Sequence, residues 1–268
     1  MQAAPAKTME ERKEKEIAHY DRLAREWREH TAIGEAGGDI ELTDVMRMKS
    51  YRALYQELAS RVPGKRVLDY GCGHGMHAEA IAKMGAKEVV GIDLSEESLA
   101  IARERVRHAS IESKVSFRAM DAERLEFPEN SFDVVFDGGT FSSIDIAKAY
   151  EQIARVLRSG GYLIGIETLG HHPLANLKRW LNKKRGVRTA WAAAHIMKME
   201  DLKTARDYFE PKKILFFHLL GLLALPFSRL PGGTLLVSFA DALDRVLFAI
   251  FPFLKRYGFK VVFVFKKK

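Results

Sequence analysis

The sequence predicts an α/β fold, a doubly wound and mostly parallel sheet of seven strands with helices on both faces. Three observations carry that prediction. Between residues 66 and 167, short apolar runs of strand length alternate with stretches of helical periodicity. The first run, Val67, Leu68 and Asp69, enters a turn with glycines at every second position, Gly71, Gly73 and Gly75. The second run, Glu88–Asp93, also ends in an acid, 22 positions beyond Gly71. That is near the ~20-residue interval at which such folds set a carboxylate on ribose hydroxyls.

Each element can be justified in order. Residues 1–60 read as a helical cap of two helices around a Gly-rich break at 34–38. Tyr20 and Asp21, with Leu23, Ala24 and Trp27 behind them, lie on the first of these, which by its own pattern is an amphipathic helix packing on the sheet. Residues 61–170 form the ligand-binding core. After the glycine turn, Ala78, Ile81 and Ala82 give helical spacing to 76–84. Ser95 caps the next helix, with Glu97 and Ser98 in its first turn. Val115–Ala119 is a third strand and runs into Met120, Asp121 and Ala122, where an acid can accept from a base amino group. Residues 132–136 form a fourth strand. A helix over 150–157 stops at Ser159, Gly160 and Gly161, and 162–167 is the fifth strand.

Residues 171–211 are a basic lid on the substrate side. Residues 212–268 supply the last two strands, 213–217 and 259–265, as an antiparallel pair. The connection between them is long and apolar. It opens at 219–227, breaks at 231–233, and resumes as a helix over 234–251 with Leu236, Phe239, Leu243, Val246, Leu247 and Ile250 on one face. Neither stretch is a charge-free run of ~18 residues, so neither reads as a membrane-crossing helix.

The glycine turn narrows the ligand. A dinucleotide fingerprint needs a third glycine where Met76 stands, and the Gly-Lys-Ser/Thr of a phosphate-cradling loop is absent. Asp69 would repel a pyrophosphate. It suits a ligand bearing an ammonium group, and S-adenosylmethionine carries one beside its sulfonium.

The segments VLDYGCGHG, GIDLSEESL, AMDAERLEFPENSFDVVF and IARVLRSGGYL resemble the successive motifs of class I S-adenosylmethionine-dependent methyltransferases. The nearest subgroup holds ubiquinone and menaquinone C-methyltransferases and small-molecule O-methyltransferases, and the resemblance covers roughly residues 62–167. It implies a Rossmann-like methyltransferase fold with S-adenosylmethionine as cofactor. It places Asp69, Gly71, Gly73 and Gly75 around the methionine part, Asp93 on the ribose, Leu94 on the adenine, and Asp121 with Ala122 at the edge of the base. Tyr20 belongs to the N-terminal segment that closes over the cofactor, and Asp137 opens the stretch to Ile144 that faces the methyl group. Many relatives carry a histidine pair in that stretch. This chain has none there.

Composition agrees with an enzyme core. The chain has 268 residues, 47% of them hydrophobic, enough for one α/β domain with additions. A single cysteine, Cys72, rules out an internal disulfide, fits a reducing cytoplasm and reads as a packing residue in the turn. The first 30 residues are charged and carry no secretory signal. No cluster has metal-ligand spacing, so no metal is expected. Charge is divided unevenly. Residues 171–268 carry 19 Lys/Arg against 6 Asp/Glu, while the remainder is net acidic. A basic third that is also the most apolar third points to an anionic membrane surface, which would place the protein at the inner face of a membrane. A second copy of the chain, docking through the insertion, is the competing occupant.

Methyl transfer to oxygen calls for a base. The candidates are His171 and His172 after the fifth strand, His195 in the lid, and Glu167 at the strand end. His218, in an apolar run, reads as a packing or interface residue. The expected acceptor is small and hydrophobic or lipid-linked, with oxygen favoured over carbon and nitrogen. Two alternatives remain. One is an RNA methyltransferase using the basic 171–213 region, where Arg179, Lys183, Lys184, Arg185 and Arg188 lie near Trp180 and Trp191. Against nucleic acid stand the missing Asn-Pro-Pro-Tyr-type motif after the fourth strand and the missing second cysteine. The other alternative is a non-catalytic, membrane-associated scaffold that binds the cofactor.

Overall fold

The computed structural model describes residues 6–30, 42–183 and 189–268. Three helices precede the sheet where the sequence predicts two: α1 (Ala6–His30), α2 (Leu42–Val45) and α3 (Lys49–Ala59). The added one is the single turn α2. The Gly-rich break at 34–38 lies outside the described residues.

Five strands follow, β1 (Arg66–Tyr70), β2 (Glu88–Asp93), β3 (Val115–Ala119), β4 (Phe132–Asp137) and β5 (Leu157–Thr168), each parallel to its neighbour. The helices α4 (Met76–Lys83), α5 (Glu96–His108) and α6 (Ile146–Val156) connect them. Ser95 caps α5 by accepting from the Ser98 amide at 3.0 Å, as its sequence position predicts. The lid holds α7 (Pro173–Lys183), α8 (Ala190–Ala194) and α9 (Met199–Thr204). Then come β6 (Phe209–Phe217), α10 (Gly221–Ala224), α11 (Gly233–Ile250) and β7 (Lys260–Lys267). The sheet order is β3-β2-β1-β4-β5-β7-β6, with β7 antiparallel to both β5 and β6. This is the expected seven-stranded doubly wound sheet. The strand order reverses between β1 and β4, which is where open α/β sheets hold their ligands.

Both faces of the sheet are covered, so the central strands bury alternate residues in opposite layers. Leu68, Val135 and Phe263 face one layer, with Phe141 and Tyr150; Val67, Val134 and Ile164 face the other, with Leu54 and Leu58 of α3. Several boundaries differ from expectation; α6, for one, begins four residues early at Ile146, behind the Asp145 cap. The helix predicted to run to 157 ends at Val156, and β5 begins at once because Leu157 pairs with Phe132. The glycine pair is therefore an irregularity within a strand. A Cβ on Gly161 would stand 2.9 Å from the carbonyl oxygens of Arg158 and Asp133. β6 starts at Phe209, four residues early, because that side chain is fully buried between Tyr150 and Phe265.

The insertion between β6 and β7 is folded onto α2 and α3 with its polar side inward. Asp244 accepts hydrogen bonds from the backbone amides of Leu219, Leu220 and Gly221 at 2.8–3.1 Å. His218, fully buried at φ +61°, places Nε2 3.0 Å from the Ser50 hydroxyl and Nδ1 3.4 Å from Asp241. A Cβ on Gly221 would sit 3.0 Å from Asp241 and 3.2 Å from Asp244, so a larger residue there would press on both acids. No helix among the described residues is long and apolar enough to cross a membrane.

Candidate functional site

A cavity of about 480 Å³ opens at the carboxyl ends of β1, β2 and β4. Gly71, Cys72 and Gly73 form one wall, Asp93 and Leu94 the next, and Gly138, Gly139 and Thr140 the third. Helix α1 covers it with Glu16, Tyr20 and Leu23, and Val45 and Tyr51 close the side toward α2 and α3. Tyr20 is fixed by a 2.8 Å hydrogen bond between its hydroxyl and that of Ser143.

The three glycines of the turn all have positive φ, and each serves a different need. A Cβ on Gly71 would overlap Thr140 Oγ1 at 2.2 Å, so its absence lets the β1 and β4 turns touch. Thr140 then donates to the Tyr70 carbonyl at 2.8 Å. A Cβ on Gly75 would meet Ala102 at 2.8 Å; that glycine seats α5 and does not line the cavity. A Cβ on Gly73 would meet nothing. It is the bare backbone beside the cavity.

Asp93 lies on the cavity wall and ties its two sides together. One carboxylate oxygen accepts from the Gly73 amide and the other from Ser95, both at 2.9 Å. Each oxygen keeps a further lone pair for a ligand hydroxyl. Burial raises the Asp93 carboxyl above its ordinary range, against the pull of those amides. Asp69 is almost wholly buried and does not itself line the cavity; the Ala78 amide approaches its carboxyl without completing a hydrogen bond of good geometry. Burial first, and the nearby Asp93 second, push its carboxyl up to about 8. Burial first, and the Asp69 carboxyl second, raise both the Tyr55 hydroxyl and the Cys72 thiol above their usual ranges. Cys72 is thus an inert packing residue.

Several sequence-predicted residues stand elsewhere. Asp121 is bonded by Lys13 of α1 and accepts from the Glu123 amide at 2.9 Å, while its neighbours Met120 and Ala122 face the cavity. Asp137 is fully buried behind the β4 turn. It accepts from the Thr140 amide at 3.0 Å and closes that turn without lining the cavity. Glu167, also proposed as a base, accepts from the Phe141 amide at 2.7 Å and so fixes the same loop from β5. None of the three histidines reaches the cavity. His171 points to Glu200, 4.0 Å away. His172 is buried against the Leu219 carbonyl at 2.9 Å. His195 stacks on Trp191 with ring centroids 3.6 Å apart. Arg12 covers Trp191 at 4.4 Å, so that ring is occupied by protein. Lys184, Arg185 and Arg188 lie outside the described residues, as do the side chains of Trp180 and Lys183.

The acids and histidines that do line the cavity are Glu16, His74, His77 and Asp93. Glu16 is raised by burial and accepts from the Thr189 hydroxyl, which joins α1 to the lid. His77 stacks parallel to Tyr51 and places Nδ1 2.7 Å from the Tyr55 hydroxyl. Burial, then the charge of Lys260, push its imidazole down to about 4. Its ring also abuts the β4 turn, since a Cβ on Gly138 would lie 3.1 Å from it. Sequence reasoning missed Glu16 and His77. His77 sits one residue inside α4, where helical periodicity says nothing about a neighbouring turn.

Residues 68–165 match the family described as Methyltransferase domain. Over those residues the chain carries a methyltransferase domain. Relatives of this domain include a ubiquinone biosynthesis O-methyltransferase from Agrobacterium fabrum, 35% identical over 127 residues, which are 44% of this chain and 50% of that protein. Another is the 27-O-demethylrifamycin SV methyltransferase of Amycolatopsis mediterranei, 38% identical over 41% of this chain and 42% of that protein. The chain thus spans half or less of the length of these curated relatives. Its methyltransferase fold is also that of geranyl diphosphate C-methyltransferase from Streptomyces coelicolor A3(2), with a TM-score of 0.62 at 15% identity, covering 93% of this chain and 98% of the other. The residues present fit the family's cofactor. Gly73 leaves room for it, Asp93 faces the cavity, and the carboxyl of Asp69 is buried without a hydrogen bond.

Proposed function

We propose that the protein transfers a methyl group from S-adenosylmethionine to an oxygen of a small hydrophobic acceptor. The observation that carries this reading is the one cavity that Gly73, Asp93 and the Gly138, Gly139, Thr140 turn line from three sides. Bound S-adenosylmethionine supplies a methyl group already activated by its sulfonium, so the protein has to align the acceptor and exclude water. Asp93 and Leu94 would hold the nucleoside part, and Gly71, Gly73 and Asp69 the methionine part. Tyr20 and Leu23 on α1 cover the cavity and shut out solvent.

The preference for oxygen is supported by His77 and by relatives named as ubiquinone biosynthesis O-methyltransferases. With its proton lost well below neutral pH, His77 is an uncharged imidazole. When Nδ1–H donates to Tyr55, Nε2 is left to accept from an acceptor hydroxyl and turn an oxygen lone pair toward the methyl group. The Asp93→Asn variant should bind S-adenosylhomocysteine at least about tenfold more weakly, with an unchanged melt. In a screen with labelled cofactor, His77→Ala should lower kcat on the acceptor by about 10²-fold while leaving cofactor affinity in place. His77→Gln, which keeps an acceptor atom, should recover part of it. Full cofactor affinity in Asp93→Asn would remove the ribose assignment, and full turnover in His77→Ala would remove the hydroxyl contact.

A further inference from the structure

Helix α11 is amphipathic in the reverse sense for a surface helix. At ~100° per residue, Leu235, Leu236, Phe239, Leu243, Val246 and Ile250 share an arc about 100° wide, and that arc faces outward. Leu235 is 75% exposed, Phe239 68% and Ile250 62%. The exposed side chains of Leu223, Phe227, Leu230, Phe251 and Phe253 extend the same apolar character through both flanking turns. A contiguous apolar surface on this scale marks an interaction site. The acids of this segment are turned the other way. Asp241 and Asp244, the two carboxylates of residues 219–257, are both buried. Its basic residues are not: Arg229, Arg245 and Arg256 are exposed and Lys255 is half-buried. An apolar face edged by Arg245, Lys255 and Arg256, with Arg229 paired to Asp44 of α2, is complementary to one kind of partner.

We propose that the outer face of α11 and the turns beside it dock on an anionic lipid bilayer. The helix, ~27 Å long, would lie in the headgroup plane with its leucines and phenylalanines in the acyl boundary and its arginines at phosphate level. The face is built from one helix and the turns beside it, and a fluid surface can mould to it. Its internal polar anchor keeps it outward, because Asp244 and the His218–Asp241 pair consume every acid that could soften it. The placement has a functional consequence. Arg229 pairs with Asp44 of α2 at 3.0 Å, beside Val45 of the cavity wall. His218 bonds Ser50 of α3, beside Tyr51 of the same wall. The docking face is therefore one short helix away from the cavity, and a bilayer against it would present acceptors dissolved in that bilayer to the α2 side. This last consequence rests on the methyl-transfer reading; the docking itself does not.

The test is sedimentation of the full chain, without cofactor, with vesicles of phosphatidylcholine alone and of phosphatidylcholine with phosphatidylglycerol. Binding is expected to the second at moderate salt and to weaken as salt rises. The double variant Phe239→Asp and Ile250→Asp should abolish it with an unchanged melting temperature, since both side chains stand outside the fold. A second double variant, Arg245→Gln and Arg256→Gln, keeps the apolar face and should lower the partition coefficient about fivefold per residue. The proposal is overturned by no binding to anionic vesicles, by binding that both variants leave intact, or by a dimer in analytical ultracentrifugation that Phe239→Asp and Ile250→Asp dissociate while no vesicle binding is seen. Because no cofactor is present, failure here leaves the methyltransferase reading untouched, and failure of S-adenosylhomocysteine binding leaves this one.

Discussion

Replacing Asp69 by Asn should remove a proton that the protein releases when it binds its cofactor. Asp69 is buried without a hydrogen bond, and its carboxyl is pushed up to about 8. At pH 7 such a group is about 0.9 protonated. An ammonium arriving beside it favours the charged form and returns the carboxyl toward its ordinary range. Binding at pH 7 should then release about 0.9 proton, and the dissociation constant should fall about tenfold between pH 6 and pH 7. The ligand's own α-amine stays charged over that interval, since such groups titrate near 7.7–8.0. The sign for the empty protein is the opposite of the usual carboxylate. A folded carboxyl raised above its unfolded value makes ionisation costly, so this group's contribution to stability falls as pH rises from about 4 to about 8. The assay is calorimetry of S-adenosylhomocysteine binding at pH 7 in two buffers of different ionisation heat. Asn is the neutral isostere of the protonated acid and should leave the fold intact while reducing release to near zero. Asp93 and Glu16, also raised by burial, are present in both proteins, so the difference isolates Asp69. Equal proton release by the two proteins would refute the reasoning.

The remaining predictions divide the site by function. Gly71→Ala should cost about 3 kcal/mol in a denaturant melt, because φ is +71° and the new methyl group overlaps Thr140. Gly73→Ala, at φ +49° with open space around it, should cost about 1 kcal/mol yet weaken S-adenosylhomocysteine at least about tenfold. Equal loss of stability in the two variants would dissolve the distinction. Asp244→Ala strands three backbone amides and should destabilise the insertion by about 3 kcal/mol, detectable as early amide exchange across 219–250, whereas Asp244→Asn should cost less. For His77, the depressed imidazole means that its contribution to stability is intact above about 6.5 and is lost as pH falls toward about 4. His77→Gln should flatten the acid limb of the melting curve in that window.

What could be read from the chain beforehand follows from how local each determinant is. β1, the glycine turn and β2 are written in consecutive residues, because a buried parallel strand must be apolar throughout and a turn at positive φ favours glycine. The same holds for the Ser95 cap and for the antiparallel end of the sheet. The base candidates failed for the converse reason. His171, His172 and Glu167 stand just past a strand end, where the fold does place functional groups, but which way they face depends on partners 26 to 47 residues away in sequence. Asp121 illustrates the same limit, since the lysine that binds it lies 108 residues earlier. The insertion is the sharpest case. Periodicity puts Leu236, Phe239, Leu243, Val246, Leu247 and Ile250 on one side, and all but the half-buried Leu247 are exposed, yet periodicity cannot tell which side of a helix meets the protein. That was decided by three backbone amides at the start of α10, which need an acceptor once they leave β6 and find it in Asp244. Satisfying those amides from α11 turns its acids inward, and turning its acids inward leaves its leucines and phenylalanines outside. The exposed face is thus the consequence of a hydrogen-bond requirement met elsewhere in the fold.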